Sequence, residues 1–362
     1  MNLACPPQLF LCDPFGALHS ALSAVLSSFL PEPLPTILLT TLAVAMLLTL
    51  VALIVMSETL FERRVVGYMQ GRLGPNRVGP QGLLQPIADG LKLVAKEIIV
   101  PYQADRIPFM LAPFVILVPS LVIWVVVPWG PGLSVTDLDV GILFILAMGA
   151  LPSIGILMAG WASGSKYALL GGMRAVAQII SYEIPLVLTT MVPVLLAGTM
   201  SLRGIVDAQA DRWFILALPV GPVAALLVLI AGIAEANRAP FDLVEAESEI
   251  IAGYHTEYSG MAFALFYLAE YATAFFVGAL VALLFFGGWQ GPVLPPFLWL
   301  FLKAYLGFFI IVWIRSTLPR VRYDQLMHIA WKVALPAALI TLGVTAVAVT
   351  YVPTLVAYRG GP

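Results

Sequence analysis

The sequence predicts an all-α polytopic membrane protein with eight transmembrane helices, several of them kinked by proline, and with amphipathic helices on the membrane surface. Composition leads to this fold class first. Of the 362 residues, 61% are hydrophobic and only 10% are charged, against roughly 25% charged in an ordinary soluble domain. A soluble domain could not bury so much apolar surface, and a disordered chain would be far less hydrophobic. The net charge of −2 also provides no basic field for nucleic acid.

Long apolar runs are the second observation, because about 20 apolar residues cross a bilayer once. Eight runs qualify: 36–56, 107–129, 140–160, 176–198, 213–234, 261–287, 295–314 and 327–352. A shorter, serine-rich run, 15–30, could lie on the membrane surface or form a ninth helix, and the surface is favoured. The expected organisation is an N-terminal extension, 1–35, one membrane domain, 36–352, and a C-terminal tail, 353–362.

The lysines and arginines support this count of spans. Thirteen fall in loops on one predicted side of the membrane, three fall on the other side, and two lie inside spans. Positively charged loops remain in the cytoplasm. The sequence therefore predicts that the basic loops, including 57–106 and 235–260, are cytoplasmic.

The first cytoplasmic loop has the pattern of an ordered surface structure. Residues 61–70 suggest a short interfacial helix, and two Gly-Pro pairs, at 74–75 and 79–80, force turns after it. Beyond them, apolar residues recur on one helical face at Leu84, Ile87, Leu91, Val94 and Ile98. This spacing predicts an amphipathic helix. A loop that only sets topology would explain the arginines but not the rigid turns.

Acidic residues concentrate in the second loop and in a few places inside the spans. Loop 235–260 has six acids and one base, Arg238, interleaved with apolar residues. Crowded carboxylates could exchange protons if they are partly buried. Glu183, Glu270 and Lys303 lie well inside predicted spans, where a charge is costly and usually faces a polar interior. They could form a structural Glu–Lys pair or a proton relay.

Motifs for metal, flavin or nucleotide chemistry are missing from the sequence. The chain has two cysteines and three histidines without metal-ligand spacing, and it has no P-loop, GxGxxG or CxxC motif. We therefore expect no bound metal, flavin or iron–sulfur cluster in this chain.

Five stretches of the chain resemble one family and occur in that family's order. They are GRLGPNRVGPQGLLQPIADGLKLVAKE, GWASGSKYALLGGMRAVAQIISYE, AEANRAPFDLVEAESEIIAGYHTEY, FALFYLAEY and WIRSTLPRVRYDQLMHIAWK. The family is the H subunit of bacterial NADH–quinone oxidoreductase, respiratory complex I, the counterpart of mitochondrial NADH dehydrogenase subunit one. The resemblance covers about 61–331, which is most of the chain.

The resemblance implies a membrane subunit at the junction of the membrane arm with the peripheral arm, in the bacterial inner membrane. Such a subunit forms the quinone access chamber and couples quinone reduction to proton translocation. Quinone, either ubiquinone or menaquinone, is then the substrate. Hydride and iron–sulfur chemistry belong to partners, the peripheral-arm quinone-site subunits, while other membrane-arm subunits lie alongside.

The resemblance also implies roles for individual residues, none of them catalytic. Polar residues of the quinone chamber are Glu62, Arg63, Arg72, Arg77, Asp89, Asp242, Glu245, Glu247 and Glu249. The proton relay comprises Glu183, Glu235 and Glu270, with Lys303 added because it is charged inside a span. Supporting basic residues are Arg238, Arg315 and Arg322, whose expected partners are those acids.

One segment departs from the family's pattern, and two other functions remain as alternatives. Some relatives have a carboxylate in the third span near Ala150, where this chain has Met-Gly-Ala-Leu-Pro-Ser. A relay through that position is therefore doubtful. The alternatives are an ion-translocating subunit of a related membrane-bound hydrogenase and a stand-alone secondary transporter. The length of the match disfavours the first, and the lack of internal repeats disfavours the second.

Overall fold

The computed structural model describes residues 34–243 and 252–351, and within these ranges the secondary structure is helical, without strands. The long helices are α1 (Leu34–Met69), α3 (Arg106–Val122), α4 (Gly141–Ala162), α5 (Lys166–Ala197), α7 (Val220–Glu235), α8 (Gly260–Phe285) and α9 (Pro296–Thr317). Shorter helices are α2 (Gln85–Ala95), α6 (Leu202–Asp207) and α10 (Tyr323–His328). A π-helical segment, Ile329–Ala334, joins α10 to α11 (Leu335–Tyr351).

Seven helical segments in the described ranges are long and apolar enough to cross a membrane. They comprise α1, α3, α4, α5, α8, α9 and the continuous segment Tyr323–Tyr351. The remaining predicted span, 213–234, is represented by the shorter apolar helix α7. It is short because Phe214–Leu216 form a 3-10 turn and Pro219 precedes the first helical residue. The predicted polytopic all-α fold is confirmed, and the run 15–30 lies outside the described residues.

The expected separate helix at 61–70 is wrong. Helix α1 continues without a break to Met69. Its 36 residues make it about 54 Å long, whereas the hydrocarbon core is about 30 Å thick. The C-terminal third of α1 therefore carries Glu58, Glu62, Arg63 and Arg64 on the same continuous helix as the membrane span.

Helix α8 is the centre of the bundle and packs against α1, α3, α7 and α9. Small residues permit the closest of these contacts. A Cβ atom on Gly307 of α9 would stand 2.7 Å from the Cα atom of Gly278 of α8. Close backbone approach at small residues is a common way for helices to pack in membranes, and it fixes α9 against the central helix.

The predicted amphipathic helix is present as α2 and lies beside the C-terminal part of α1 and the start of α8. Its apolar face is exposed, with Leu91 and Val94 each 66% accessible. The second Gly-Pro pair precedes it as expected, since Pro80–Gly82 form a 3-10 turn after Gly79, whose φ is +71°. The Arg64 guanidinium donates a hydrogen bond to the carbonyl of Gln81 and ties this turn to α1.

Candidate functional site

A buried cluster of charged residues lies where the C-terminal part of α1, the segment after α7, the first half of α8 and the C-terminal end of α9 meet. Arg238 is at its centre and is only 4% exposed. Its Nη1 atom is 3.3 Å from Glu62 Oε2, and its Nε atom is 3.3 Å from Glu270 Oε1. The Arg315 guanidinium also donates to Glu62. Residues 62, 238, 270 and 315 are thus brought together, and we call these four residues the arginine–glutamate cluster.

The backbone after α7 determines the position of Arg238. The helix ends at Glu235, and the chain turns at Asn237, whose φ is +49°. The Arg238 N–H then donates to the carbonyl of Ile233 at 3.1 Å. The Gln178 side chain of α5 donates to the Ala234 carbonyl at 2.8 Å and to the Asn237 side chain at 3.3 Å. These bonds fix the Ala-Glu-Ala-Asn-Arg segment between α5 and the cluster.

The neighbours of Arg238 compensate for its removal from water. Burial by itself lowers the pKa of this guanidinium, but the carboxylates of Glu270 and Glu62 raise it well above its usual value. The guanidinium also lies over the ring of Tyr271, 4.0 Å from the ring centroid, in a cation–π contact. Arg238 is therefore a fixed positive charge that holds two carboxylates from different helices.

Next to the cluster, three carboxyl groups line one internal cavity. Glu183 of α5, Glu235 of α7 and Glu270 of α8 all face it, together with Asn237 and mostly apolar side chains. Its volume is about 60 Å³, which is enough for ordered waters. Glu270 therefore belongs both to the arginine–glutamate cluster and to this acid-lined cavity.

A glycine makes room for one of these carboxyl groups. A Cβ atom on Gly149 of α4 would stand 2.8 Å from Glu235 Oε1. This is the segment around Ala150 where the sequence lacks an acid. In this chain α4 contributes space for the Glu235 carboxylate rather than a carboxylate of its own.

A second ion pair lies on the surface beside Glu62. The Arg63 Nη1 atom donates to Asp89 Oδ2 of α2 at 2.5 Å, and Gln85 donates to Asp89 Oδ1 at 3.1 Å. Lys92 is 3.9 Å from the same carboxylate. Partial burial raises the pKa of Asp89, but the hydrogen bonds from Arg63 and Gln85 and the nearby positive charges outweigh it and leave the pKa below its usual value. Asp89 is therefore an anion at neutral pH.

The other predicted residues of the described ranges lie at varying distances from the cluster. Asp242 is 9% exposed and 3.3 Å from Arg320, whereas Arg322 pairs with Asp324 at 2.5 Å on the surface. Arg72 and Arg77 are exposed, and Arg72 donates to Gln70. Glu245, Glu247 and Glu249 lie outside the described residues, so their predicted place in the quinone chamber stays a prediction.

Lys303 lies at the opposite end of α8 from the arginine–glutamate cluster. Its Nζ atom donates to the carbonyls of Phe286, Gly288 and Gln290 at 2.7, 2.9 and 2.7 Å. An ammonium group has three donors, and all three are used here. This arrangement is typical of an anchor for the turn that follows α8.

Sequence reasoning missed Glu58, Arg320, Tyr271 and Gln178. Glu58 is the largest omission, because its carboxyl group is completely buried. The available signal was its spacing of four residues from Glu62, which places both on one face of a helix. Ending the first span at residue 56 concealed that signal. Among the described residues, no group of three or more His, Cys, Asp or Glu side chains could hold a metal ion.

Comparisons with known proteins identify the family of the chain. A sequence model of the NADH dehydrogenase family matches residues 42–346. The H subunit of NADH-quinone oxidoreductase from Dehalococcoides mccartyi strain CBDB1 is 50% identical over 312 residues, covering 85% of this chain and 87% of the relative. The H subunits from Geobacillus kaustophilus and Brevibacillus brevis are 51% and 48% identical, covering 84% and 85% of this chain and 92% and 93% of the relatives.

The chain belongs to the family of NADH-quinone oxidoreductase H subunits. It is therefore a membrane subunit of that enzyme complex, and the family resemblance of its five sequence stretches is confirmed. Within this oxidoreductase subunit, the buried charged residues of the described ranges include Glu62 and Arg238 of the arginine–glutamate cluster, together with Glu58 and Asp242.

Proposed function

We propose that this subunit forms the quinone access chamber of the complex and couples quinone reduction to proton translocation. One observation carries the proposal: a series of ion pairs leads from the surface to the interior, with one step made by the adjacency of Arg63 and Glu62 along α1. Asp89 pairs with Arg63. The residue before Arg63 is Glu62, which pairs with Arg238, and Arg238 also pairs with Glu270. Glu270 lines the acid-lined cavity, so the series ends deep in the bundle.

The surface end of this series suits a quinone. Helix α2 presents an exposed apolar face beside α1, including Ile87, Leu91 and Val94, which offers contact to an isoprenoid tail. Asp89 and Arg63 lie at its polar side and would meet the more polar headgroup. The headgroup is reduced by electrons that a peripheral-arm partner supplies, and this chain binds and orients the substrate.

The interior end suits proton movement. Glu183, Glu235 and Glu270 share a cavity with room for water, and carboxyl groups linked by water pass protons between them. A change of charge at the surface pair would reach Glu270 through Glu62 and Arg238. Lys303 is left out of the proposed relay, because its three donors are occupied by backbone carbonyls.

The proposed setting is the bacterial inner membrane, with the basic loops on the cytoplasmic side. The arginine–glutamate cluster then lies toward the cytoplasm, where the peripheral arm docks. The neighbouring partners are the peripheral-arm quinone-site subunits and the adjacent membrane-arm subunits. Relatives that match about 85% of the chain carry the name of NADH-quinone oxidoreductase, which supports this function over the membrane-bound hydrogenase and the transporter.

Two variants of the native complex test the proposal. Asp89→Ala is expected to lower NADH–quinone reductase activity at least tenfold in membranes, while NADH oxidation by an artificial acceptor continues, because only the quinone end is altered. Glu183→Gln is expected to lower the protons moved per quinone reduced. Normal quinone reduction in an assembled Asp89→Ala complex, or full proton stoichiometry in Glu183→Gln, would contradict the corresponding part of the proposal. Glu97→Gln, an exposed acid nearby, is the matched control.

A further inference from the structure

Glu58 is a buried carboxyl group that the proposed relay does not use. It is 0% exposed, and neither of its oxygens has a hydrogen-bond partner among the described residues. It lies on the face of α1 that carries Glu62, four residues earlier. Side chains at this spacing have Cβ atoms about 5–6 Å apart, and the position is about 6 Å further into the bundle along the helix axis.

Charged and titratable groups from each neighbouring element surround this position. Glu58 interacts electrostatically with Arg238 and with Glu62. On α9, Tyr305 interacts electrostatically with Glu58 and is hydrogen-bonded to Ser57 of α1. Other charged or titratable groups on the helices packed against α1 are Lys303 and Arg315 on α9, Tyr267, Glu270 and Tyr271 on α8, and Asp89 and Lys92 on α2. On α1 itself, Arg63 pairs with Asp89. The segment Ile123–Val125, which also contacts α1, has no titratable side chain.

Three carboxyl groups and two guanidinium groups meet at this position. Arg238 and Arg315 are the positive residues, and Glu58, Glu62 and Glu270 are the negative ones. An uncompensated charge buried without a hydrogen bond is strongly destabilising. A proton on Glu58 removes the cost of burying its charge without a hydrogen bond. Guanidinium groups hold Glu62 and Glu270, whereas no described side chain holds Glu58.

We propose that Glu58 is a proton-exchanging carboxyl group that extends the arginine–glutamate cluster one helical turn deeper along α1. It takes up a proton while guanidinium groups hold Glu62 and Glu270, and it releases that proton when the charge of the cluster changes. The step is a transfer of one proton between carboxyl groups and needs no oxidant or reductant. Its part in turnover rests on the proposed proton relay, but its equilibrium exchange does not.

Infrared difference spectroscopy of the purified complex tests this exchange. The carbonyl stretch of a protonated carboxyl group is followed while the pH is raised from about 6 to about 9, a range in which ordinary carboxylates stay ionised. The unmodified complex is expected to show a buried carboxyl band that disappears with rising pH. Glu58→Gln is expected to lose an amplitude corresponding to one carboxyl group. Asp139→Asn, at an exposed acid, should leave the band unchanged.

An unchanged titrating band in Glu58→Gln would overturn the proposal. It would show that the band comes from another carboxyl group and that Glu58 does not exchange a proton in this pH range. Glu58→Met, which is apolar and similar in length, provides a second variant with the same expected loss. Failure of both variants to assemble also counts against the proposal, because a neutral isostere should replace the proton-bearing form. If the band is lost while Asp89→Ala retains quinone reduction, the proposed function fails and the exchange at Glu58 stands.

Discussion

Replacing Gly149 by alanine should impair function without lowering stability. The new Cβ atom would stand 2.8 Å from Glu235 Oε1, whereas ordinary contact begins at 3.4 Å, so the carboxylate must move by about 0.6 Å. That oxygen is the far end of a flexible side chain, and the displacement costs little energy. Alanine in a helix interior is favoured over glycine by about 1 kcal/mol. The variant is therefore expected to be as stable as the original chain or slightly more so.

Proton transfer depends more steeply on geometry than stability does. A displacement of about 1 Å at a reacting group can cost about 100-fold in rate, so about 0.6 Å at Glu235 should slow quinone-coupled proton pumping by about tenfold. The assay is the rate of proton uptake by vesicles that contain the purified complex, divided by the amount of assembled complex. Thermal inactivation of the same preparation reports stability.

Gly343→Ala provides the matched control, since a Cβ atom there has nothing within 4 Å. It should leave pumping unchanged. Combining Gly149→Ala with Glu235→Gln should add little to the loss caused by Glu235→Gln alone, because both act on one carboxyl group. Full proton pumping by Gly149→Ala would refute the argument. So would a loss of pumping by Gly149→Ala that is equally large in the original complex and in Glu235→Gln.

The remaining predictions concern the two ends of α8 and the surface pair. Arg238→Met should destabilise the subunit by about 3–5 kcal/mol, because it leaves buried carboxylates without their guanidinium. Thermal inactivation measures this loss, and adding Glu270→Gln to Arg238→Met should recover part of it. An equal loss of stability in the single and the double variant would contradict the prediction. Lys303→Met should make the turn after α8 more susceptible to protease, while the number of protons moved per quinone reduced stays constant. A stable variant with a lower proton stoichiometry would contradict this and would support a relay role for Lys303. The loss of activity caused by Asp89→Ala should be the same from about pH 6 to pH 8, because the lowered pKa of Asp89 keeps it ionised there. Its ion pair with Arg63 is lost only as the pH falls below about 4. A ratio of variant to original activity that changes between about pH 6 and pH 8 would count against a role for this ion pair.

Hydropathy and helical periodicity were sufficient to predict the fold. Each apolar run longer than about 20 residues corresponds to a helix, and the spacing of Leu84, Ile87 and Leu91 correctly predicted α2. Boundaries were less predictable where a helix carries charge. Helix α1 continues to Met69 because Phe61 and Val65 still pack on the core although Glu62, Arg63 and Arg64 interrupt the apolar pattern.

The family resemblance implied acids as partners of Arg238 and Arg315, but the sequence did not predict which acid pairs with which arginine. Glu62 and Arg238 are separated by 176 positions, and the packing of both α1 and α7 against α8 brings them together. The spacing of residues within one helix was visible, so Glu58 could have been linked to Glu62. The role of Lys303 was less visible, since a lysine in a span has the same pattern whether its partners are carboxylates or the carbonyls at the end of α8.

The position of Glu270 explains how a change at the surface could reach the membrane interior. It is ten residues from the start of α8, which is about 15 Å along the axis, and it contacts both Arg238 and the cavity shared with Glu183 and Glu235. Arg238 cannot lose its charge, so a proton that neutralises Glu270 weakens one of its two ion pairs and leaves Glu62 with the stronger share. The proposed coupling is reciprocal, because a change at either carboxyl group alters the ion pair that Arg238 makes with the other. A single fixed guanidinium between two carboxyl groups is thus sufficient to link the quinone end of the proposed chamber to the proposed relay.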